Sequence, residues 1–208
     1  MRMLSNIANV IDTEFSGNIL IEVGLTTVDL SARRIINTYS IPINPNYHGF
    51  MQYPESDYDP AVFKLTGWTY KKLQKQGVQG QEASRRLLEK YGCKNRLLVV
   101  DQSNEISSLA GMLSHIDINI DQASFGQDIL NISHLFMLKH GVQGLSLEEM
   151  LAYEALQFVG RQHRAADDSY NIARLFLELV GHDQFYSCYG KTPMKLDGSS
   201  VYKIGRIE

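Results

Sequence analysis

Cysteine is scarce in this chain of 208 residues, which contains only Cys93 and Cys188. Two thiols that are far apart and lack CxxC spacing argue against a disulfide framework and against a thiolate zinc site. We therefore predict that both cysteines are reduced and that neither takes part in function.

Long apolar runs are missing as well. No stretch approaches the roughly 20 residues that a membrane-spanning helix needs. The segment Met1–Asn9 lacks the charged and then apolar pattern of a secretion signal, so we expect a cytoplasmic protein with no membrane partner. The sequence also has no GxxxxGK[ST] phosphate loop, which argues against nucleoside triphosphate hydrolysis.

An excess of positive charge is absent too, since the formal net charge is −3 at pH 7. Proteins that coat nucleic acid usually carry a broad basic surface, and this composition predicts none. An enzyme that holds only a few nucleotides at a strand end does not need such a surface, because bound metal ions supply positive charge at its site.

The pattern of apolar residues predicts one α/β domain with a mixed sheet. Helices interleave with short strands in the second half of the chain, where Ala166–Val180 has the clearest helical periodicity. The first half instead predicts an antiparallel meander, because three strands follow one another with short connections. These strands are Ile7–Phe15, Ile19–Leu30 and Ile35–Ile43.

The periodic pattern weakens near the C-terminus. We predict that residues 1–181 form the domain and that residues 182–208 form a C-terminal extension. Within that extension, Val201–Ile204 is either a late strand or part of a disordered tail. The sequence does not determine the oligomeric state, and a homodimer is left open.

Two acidic residues, Asp12 and Glu14, follow an apolar run near the start of the chain. Residues two apart in a strand project from the same face, so their carboxylates are expected to lie close together. Two like charges on a buried face need compensation. Mg²⁺ or Mn²⁺ provides it, because hard cations prefer oxygen ligands. The alternative is a strand with one solvated face and no metal.

A histidine and an aspartate, His163 and Asp168, surround the start of the last predicted helix. We expect His163 in the preceding loop and Asp168 within the first helical turns. Histidine suits a general base that takes a proton from water, because its ordinary pKa is near neutral. The alternative is a solvated loop histidine and an acid that favours a helix start for dipole reasons alone.

A middle acidic cluster offers two further candidates, Asp101 at the end of a strand and Glu105 at the start of a helix. Alternatively, Asp101 or Ser103 caps that helix and Glu105 only favours its N-terminus. Carboxylates that are distant in sequence, together with one histidine, are what two-metal phosphodiester cleavage requires. The residues therefore predict a metal-dependent nuclease that trims nucleic acid from an end.

Several segments resemble the motifs of the DEDDh 3′→5′ exonuclease superfamily, the DnaQ-like enzymes, and they occur along the chain in the order of the family. Asp12-Thr-Glu14-Phe-Ser-Gly17 resembles the first motif, DTETTG, and His163-Arg-Ala-Ala-Asp-Asp168 is similar to the third motif, HRAxxD. Leu65-Thr66-Gly67 resembles the LTGIT segment. The segments 146–151, 158–161 and 171–174 are similar to the helical half of ERI-type and KapD-like exoribonucleases. The resemblance covers residues 7–180.

This resemblance implies an RNase H-like exonuclease fold, in which helices flank a mixed sheet made of an antiparallel meander and parallel strands. It implies that Asp12, Glu14, Asp168 and a third acid hold two divalent ions, Mg²⁺ or Mn²⁺. His163 would be the general base. The partner would be the 3′ end of a single-stranded nucleic acid, RNA or DNA, cut to nucleoside 5′-monophosphates. The residues implied to receive the terminal nucleotide are Phe15, Ser16, Gly17, Leu65, Thr66 and Gly67.

The chain departs from the family pattern at the second motif, where the family has an aspartate. Counting back four residues from Leu109 gives Glu105, whereas Asp101 has the usual side chain but lies earlier. From position we predict that Glu105 is the third acid, with Asp101 as the alternative. The longer side chain predicts looser metal geometry and hence a preference for Mn²⁺, because Mg²⁺ demands near-ideal octahedral coordination. The departure also motivates an alternative function, a catalytically impaired nucleic-acid-binding or regulatory module on the same fold. A third option is a polymerase proofreading subunit.

Overall fold

The structure, a computed structural model, describes residues 6–47, 52–101, 105–114, 122–125 and 128–181. The described strands are β1 (Ile7–Ser16), β2 (Ile19–Asp29), β3 (Arg34–Pro42), β4 (Leu97–Val100) and β5 (Ile129–Asn131). They form one five-stranded sheet in the order β3-β2-β1-β4-β5. Strands β1 to β3 are an antiparallel meander, whereas β4 pairs in parallel with β1 and β5. The predicted mixed sheet is therefore confirmed.

Seven α-helices accompany the sheet within the described ranges. They are α1 (Pro60–Thr66), α2 (Tyr70–Gln76), α3 (Gly80–Arg85), α4 (Glu105–Ser114), α5 (Ile132–His140), α6 (Leu147–Tyr153) and α7 (Ala165–Leu179). Among these described helices, none is both long and apolar enough to cross a membrane. The predicted C-terminal extension, residues 182–208, and Cys188 within it lie outside the described residues.

Alternate residues of the central strands supply two hydrophobic cores on opposite faces of the sheet. Val10 and Val99 pack with residues of α5, α6 and α7, whereas Ile11 and Val100 pack with residues of α3 and α4. Because both faces are covered, the central strands are almost continuously apolar in sequence. A third core, around Trp68, packs α1 and α2 against the start of β2.

Helix α7 lies close against β2 because Gly24 has no side chain. A Cβ atom on Gly24 would lie 1.8 Å from the carbonyl oxygen of Ala165, the first residue of α7. Gly24 is also the antiparallel partner of Asp12 on β1. This close approach therefore places the first turns of α7, which include Asp168, directly beside the acidic residues of β1.

Gly24→Ala is expected to destabilise the protein by about 1–3 kcal/mol, the usual cost of overpacking. The new methyl group would meet backbone atoms, which cannot turn aside as a flexible side chain can. Denaturant unfolding measures the change. Gly111→Ala in α4 is the matched control, because a Cβ there meets nothing within 4 Å and alanine is the better helix former. If Gly24→Ala unfolded at the same denaturant concentration as the wild type, the close packing of α7 would be contradicted.

Candidate active site

Three carboxylates that are distant in sequence meet where α7 crosses the sheet. Asp12 and Glu14 project from one face of β1, and Asp168 comes from the first turn of α7. One carboxylate oxygen of each residue lies within 4.8 Å of the other two. All three side chains are half-buried. The structure thus brings together three of the acids that the sequence singled out.

Burial and nearby negative charges raise the pKa of each of these carboxyl groups. Burial is the largest cause in all three. The charges of Glu105, Asp168 and Glu14 add to it at Asp12, whose pKa rises well above its ordinary range. Burial and the charge of Asp168 raise the pKa of Glu14 to about 7. The pKa of Asp168 also rises to about 7, although backbone N–H groups of Arg164 and His163 donate to it.

The donor set fits a hard divalent cation. All three groups offer oxygen atoms, which Mg²⁺ and Mn²⁺ prefer, and the cluster contains no thiolate or imidazole. Without a cation the three carboxylates repel one another at neutral pH. A divalent ion bound among them would remove this repulsion and favour the ionised forms.

The metal-free protein is expected to lose stability as pH rises. The pKa of Glu14 and of Asp168 is about 7 in the folded chain, whereas unfolded Glu and Asp titrate near pH 4. Between about pH 4 and pH 7 the folded state therefore binds more protons, so the free energy of unfolding falls as pH rises through this window. Mn²⁺ should restore stability chiefly at pH 7 and above. Thermal unfolding with chelator and with Mn²⁺ tests this, and a metal-free stability that rises over this window would contradict it.

Glu105 is the first residue of α4 and lies beside the cluster. Its Oε1 accepts a hydrogen bond of 3.1 Å from Thr13 Oγ1, and only 7% of the residue is exposed. Among the neighbouring charges, that of Glu105 contributes most to the raised pKa of Asp12. Leu109, one helical turn further along α4, is fully buried. Glu105 and Leu109 therefore lie on the same inward face of α4, which is the arrangement on which the positional prediction depended.

The carboxylate of Asp101 has a different use. Its Oδ1 accepts a hydrogen bond of 2.6 Å from Ser133 Oγ, and its backbone oxygen accepts one of 2.9 Å from Asn131 Nδ2. Asp101 therefore connects the end of β4 to the start of α5. Its charge contributes least to the raised pKa of Asp12. Ser103, the other candidate cap of α4, lies outside the described residues.

His163 lies in the loop before α7, as the sequence predicted, and its side chain is exposed. Its backbone has φ +58°, a left-handed conformation that is uncommon for residues other than glycine. Gly160 in the same loop has φ +94°, and the Asp167 carboxylate fills the space that a Cβ would need. The same carboxylate accepts a 2.9 Å hydrogen bond from the backbone N–H of Arg161. The loop is therefore folded tightly onto the first turn of α7.

A groove of about 710 Å³ opens beside His163. This volume is within the range of small-molecule sites in proteins. Leu65 is 51% exposed, and Arg161 Nη2 donates a 2.7 Å hydrogen bond to the backbone oxygen of Lys64. One wall belongs to α1 and the other to the loop before α7; the lining residues are Ala61, Lys64, Leu65, Phe158, Gly160, Arg161, Gln162 and His163.

The other residues implied to receive the nucleotide surround the start and end of α1. Ser16 is buried, and its Oγ accepts a 2.7 Å hydrogen bond from the backbone N–H of Asp59, the N-cap of α1. Phe15 is half-buried beside it, and Gly17 is exposed in the following turn. Thr66 is fully buried, and its hydroxyl bonds within its own segment. The side chain of Thr66 therefore supports the groove wall rather than lining it.

Sequence reasoning missed three residues of this region. Lys64 lines the groove but was not part of any binding or acid–base pattern. Phe158 and Arg161 appeared only as the ends of the segment 158–161, although both line the groove and Arg161 joins its two walls through Lys64. The sequence signal for this region was the Leu65-Thr66-Gly67 segment, whereas the exposure of Leu65, which is typical of a binding site, is known only from the structure.

Known proteins match this chain in structure rather than in sequence. No family model matches it, and no curated protein matches its sequence. The nuclease domain of 3′hExo, a DEDDh family member bound to rAMP, aligns with a TM-score of 0.69 and 18% identity, over 86% of this chain and 94% of that one. Cell-death related nuclease 4 aligns with a TM-score of 0.65 and 19% identity, over 86% of this chain and 65% of that one. S. pombe Pop2p in its Mg²⁺- and Mn²⁺-bound form aligns with a TM-score of 0.60 and 18% identity, over 83% of this chain and 82% of that one.

The chain has the fold of the DEDDh exonucleases. The RNase H-like exonuclease fold implied by the motifs is thereby confirmed. Within this DEDDh exonuclease fold, Asp12 and Glu14 lie on the central strand of the sheet and Asp168 on the helix packed against it. The candidate ligands therefore come from rigid elements, which can hold charged groups at fixed positions.

Proposed function

We propose that this protein is a metal-dependent 3′→5′ exonuclease that hydrolyses single-stranded RNA or DNA ends, or short oligonucleotides, to nucleoside 5′-monophosphates. The observation that carries the proposal is the meeting of Asp12, Glu14 and Asp168 on a DEDDh exonuclease fold. His163 lines the groove and lies five residues before Asp168 in the chain. The 3′ direction is taken from the resemblance at Asp12–Gly17 and Leu65–Gly67.

Two divalent ions, Mg²⁺ or Mn²⁺, are proposed as cofactors. Asp12, Glu14 and Asp168 would hold them together with the third acid of the sequence pattern, Glu105, which is hydrogen-bonded to Thr13. When bound, such ions lower the pKa of a water molecule and stabilise negative charge on a phosphodiester. Within the carboxylate cluster, ligation would also relieve the repulsion among the ionised groups.

His163 is proposed as the general base. It would accept the proton of the attacking water while that oxygen forms its bond to phosphorus. The bond between phosphorus and the 3′-oxygen of the preceding nucleotide then breaks, and that oxygen leaves with the shortened strand. The exposed side chain on a loop next to Asp168 suits this role, because the proton can pass onward to solvent.

The groove suits a strand end without regard to its sequence. Leu65 and Phe158 offer apolar surface on which a base can rest, and base stacking tolerates every sequence. Lys64 and Arg161 place positive charge along the same groove, where phosphates of the strand would pass. The chain therefore needs no broad basic surface, in agreement with its net charge of −3.

Digestion of 5′-labelled RNA and DNA oligonucleotides tests the proposal. With Mg²⁺ or Mn²⁺ we expect stepwise shortening from free 3′ ends and release of nucleoside 5′-monophosphates. A 3′-phosphate should slow digestion strongly. Equal digestion of blocked, circular and free strands would indicate an endonuclease instead. Metal-dependent binding without cleavage would favour the impaired binding module, which the glutamate at the second motif motivates.

Glu105→Gln is expected to impair the enzyme more than Asp101→Asn. Loss of the Glu105 charge beside Asp12 should weaken Mn²⁺ binding and cleavage by at least about 10- to 100-fold. This is the range for residues that support metal ligands. Asp101→Asn should have little effect, because an amide oxygen still accepts the bond from Ser133. Rates measured across a Mn²⁺ titration compare the two. A silent Glu105→Gln beside an inactive Asp101→Asn would reverse the assignment.

A further inference from the structure

Glu22 is a fully buried carboxylate that lies outside the metal cluster. Its two oxygens accept four hydrogen bonds: from Ser40 Oγ at 2.5 Å, from Trp68 Nε1 at 2.8 Å, and from Arg164 Nε and Nη2 at 3.1 and 3.3 Å. A buried charge is tolerated only when it is paired and well hydrogen-bonded. The arrangement around Glu22 meets both conditions, so its three partners are held in fixed positions.

Arg164 connects this carboxylate to the proposed catalytic loop. It is the N-cap residue of α7 and follows His163 directly. Its guanidinium group binds both oxygens of Glu22 and lies 4.6 Å from the centre of the Trp68 ring. A planar guanidinium that is bidentate and stacked has a defined orientation, which the ammonium group of lysine would not reproduce.

Trp68 connects the same carboxylate to the opposite wall of the groove. It follows Gly67, which ends α1 with φ +74°. Its backbone N–H donates a 3.2 Å hydrogen bond to Thr66 Oγ1. Leu65, the exposed residue that directly precedes Thr66, lines this wall of the groove. Glu22 therefore holds the end of α1 and the loop before α7 through adjacent side chains.

Glu22 also lies on the face of the sheet that carries the metal cluster. It is the antiparallel partner of Glu14 across β1 and β2, and opposite residues in such a pair project to the same side. The network is thus next to Glu14 across the two strands, and through Arg164 and Trp68 it reaches both the loop of His163 and the end of α1.

We propose that Glu22, Arg164 and Trp68 form a positioning unit that fixes His163 relative to the Leu65 wall of the groove. This inference rests on the proposed exonuclease function. The unit is assigned no contact with the reacting phosphate; it sets where the general base stands relative to a nucleotide against Leu65. A displacement of about 1 Å in such an arrangement can cost 10²-fold in rate.

Arg164→Lys tests the unit, because it keeps the charge and loses the bidentate, stacked geometry. We expect kcat to fall by about 10- to 100-fold, while KM and the Mn²⁺ dependence change far less. The matched control is Arg85→Lys, since Arg85 makes a bidentate pair with Glu82 on the surface of α3. That control should keep wild-type kcat. An unchanged kcat in Arg164→Lys would overturn the proposal.

A double variant separates positioning from folding. Glu22→Gln alone leaves a charged Arg164 without its partner and should destabilise the protein, whereas removing both charges of a buried pair is often neutral. We therefore expect Glu22→Gln with Arg164→Met to regain stability but to keep a low kcat. Recovery of both stability and kcat in the double variant would show a purely structural role and overturn the proposal.

Fluorescence supplies a readout that does not depend on turnover, because Trp68 is the only tryptophan in the chain. Titration with AMP and Mn²⁺ should change its emission in the wild type, and the change should be lost in Arg164→Lys. If the wild type cuts no substrate, the proposed function fails, and this titration still decides the inference. An equal emission change in both proteins would overturn it.

Discussion

Asp12→Asn is expected to abolish cleavage almost completely while leaving the protein folded. Asp12 lies on the central strand, and its charge faces those of Glu14, Asp168 and Glu105. Loss of this ligand should remove several kcal/mol of transition-state stabilisation, which corresponds to a rate reduction of about 10³-fold or more. The variant should also be more stable than the wild type in the absence of metal, because one source of repulsion is gone.

Initial rates at saturating Mn²⁺ and thermal unfolding in chelator measure the two effects. Asp29→Asn is the matched control, since Asp29 lies on β2 away from the cluster and its Oδ1 accepts a bond from the backbone of Ala32. That control should keep wild-type rates. Undiminished cleavage by Asp12→Asn would remove the basis for the metal assignment.

His163→Ala is expected to lower turnover far more than substrate affinity. A general base contributes about 10²–10⁴-fold to rate, and the carboxylates of the metal cluster would remain in place. Because the side chain is exposed, its removal leaves no cavity in the core. Pre-steady-state rates together with KM and the Mn²⁺ dependence measure these effects separately.

His163→Gly is the informative companion. The φ of +58° at this position costs an alanine about 1–2 kcal/mol, whereas glycine adopts it freely. We therefore expect His163→Gly to be more stable than His163→Ala and equally slow. Near-normal turnover in both variants would make His163 an ordinary loop residue.

Local patterns were sufficient to predict the parts of the fold that repeat with a fixed period. The apolar spacing of Ala166–Val180 corresponds to α7 within one residue at each end. The alternation around Asp12 and Glu14 placed both on one face of β1, and the structure has them so. These predictions succeed because strand and helix periodicity reflect burial, which is encoded residue by residue.

The network around Glu22 could not be predicted, because its partners are brought together only by the tertiary fold. Ser40, Trp68 and Arg164 lie on three different segments of the chain. One local signal was present, since Glu22 interrupts a strand that is buried along most of its length. A charge in such a strand requires a buried partner, but the sequence does not say which cation supplies it.

The choice between Asp101 and Glu105 also depended on tertiary structure. Both residues follow the same strand, and both have a carboxylate. What separates them is the hydrogen bond of Asp101 to Ser133 and the approach of Glu105 to Thr13. Each of these contacts joins segments that are far apart in sequence. The spacing of residues could therefore favour Glu105 by position, but it could not predict either contact.

Cleavage of one labelled single-stranded oligonucleotide tests the central claim most directly. The wild type and Asp12→Asn, purified in parallel, are compared with Mn²⁺ and with excess chelator. The account predicts one-nucleotide steps from the free 3′ end by the wild type with Mn²⁺, and no shortening in the other three reactions. Equal shortening by Asp12→Asn, shortening in chelator, or an uncut substrate in all four reactions would contradict it.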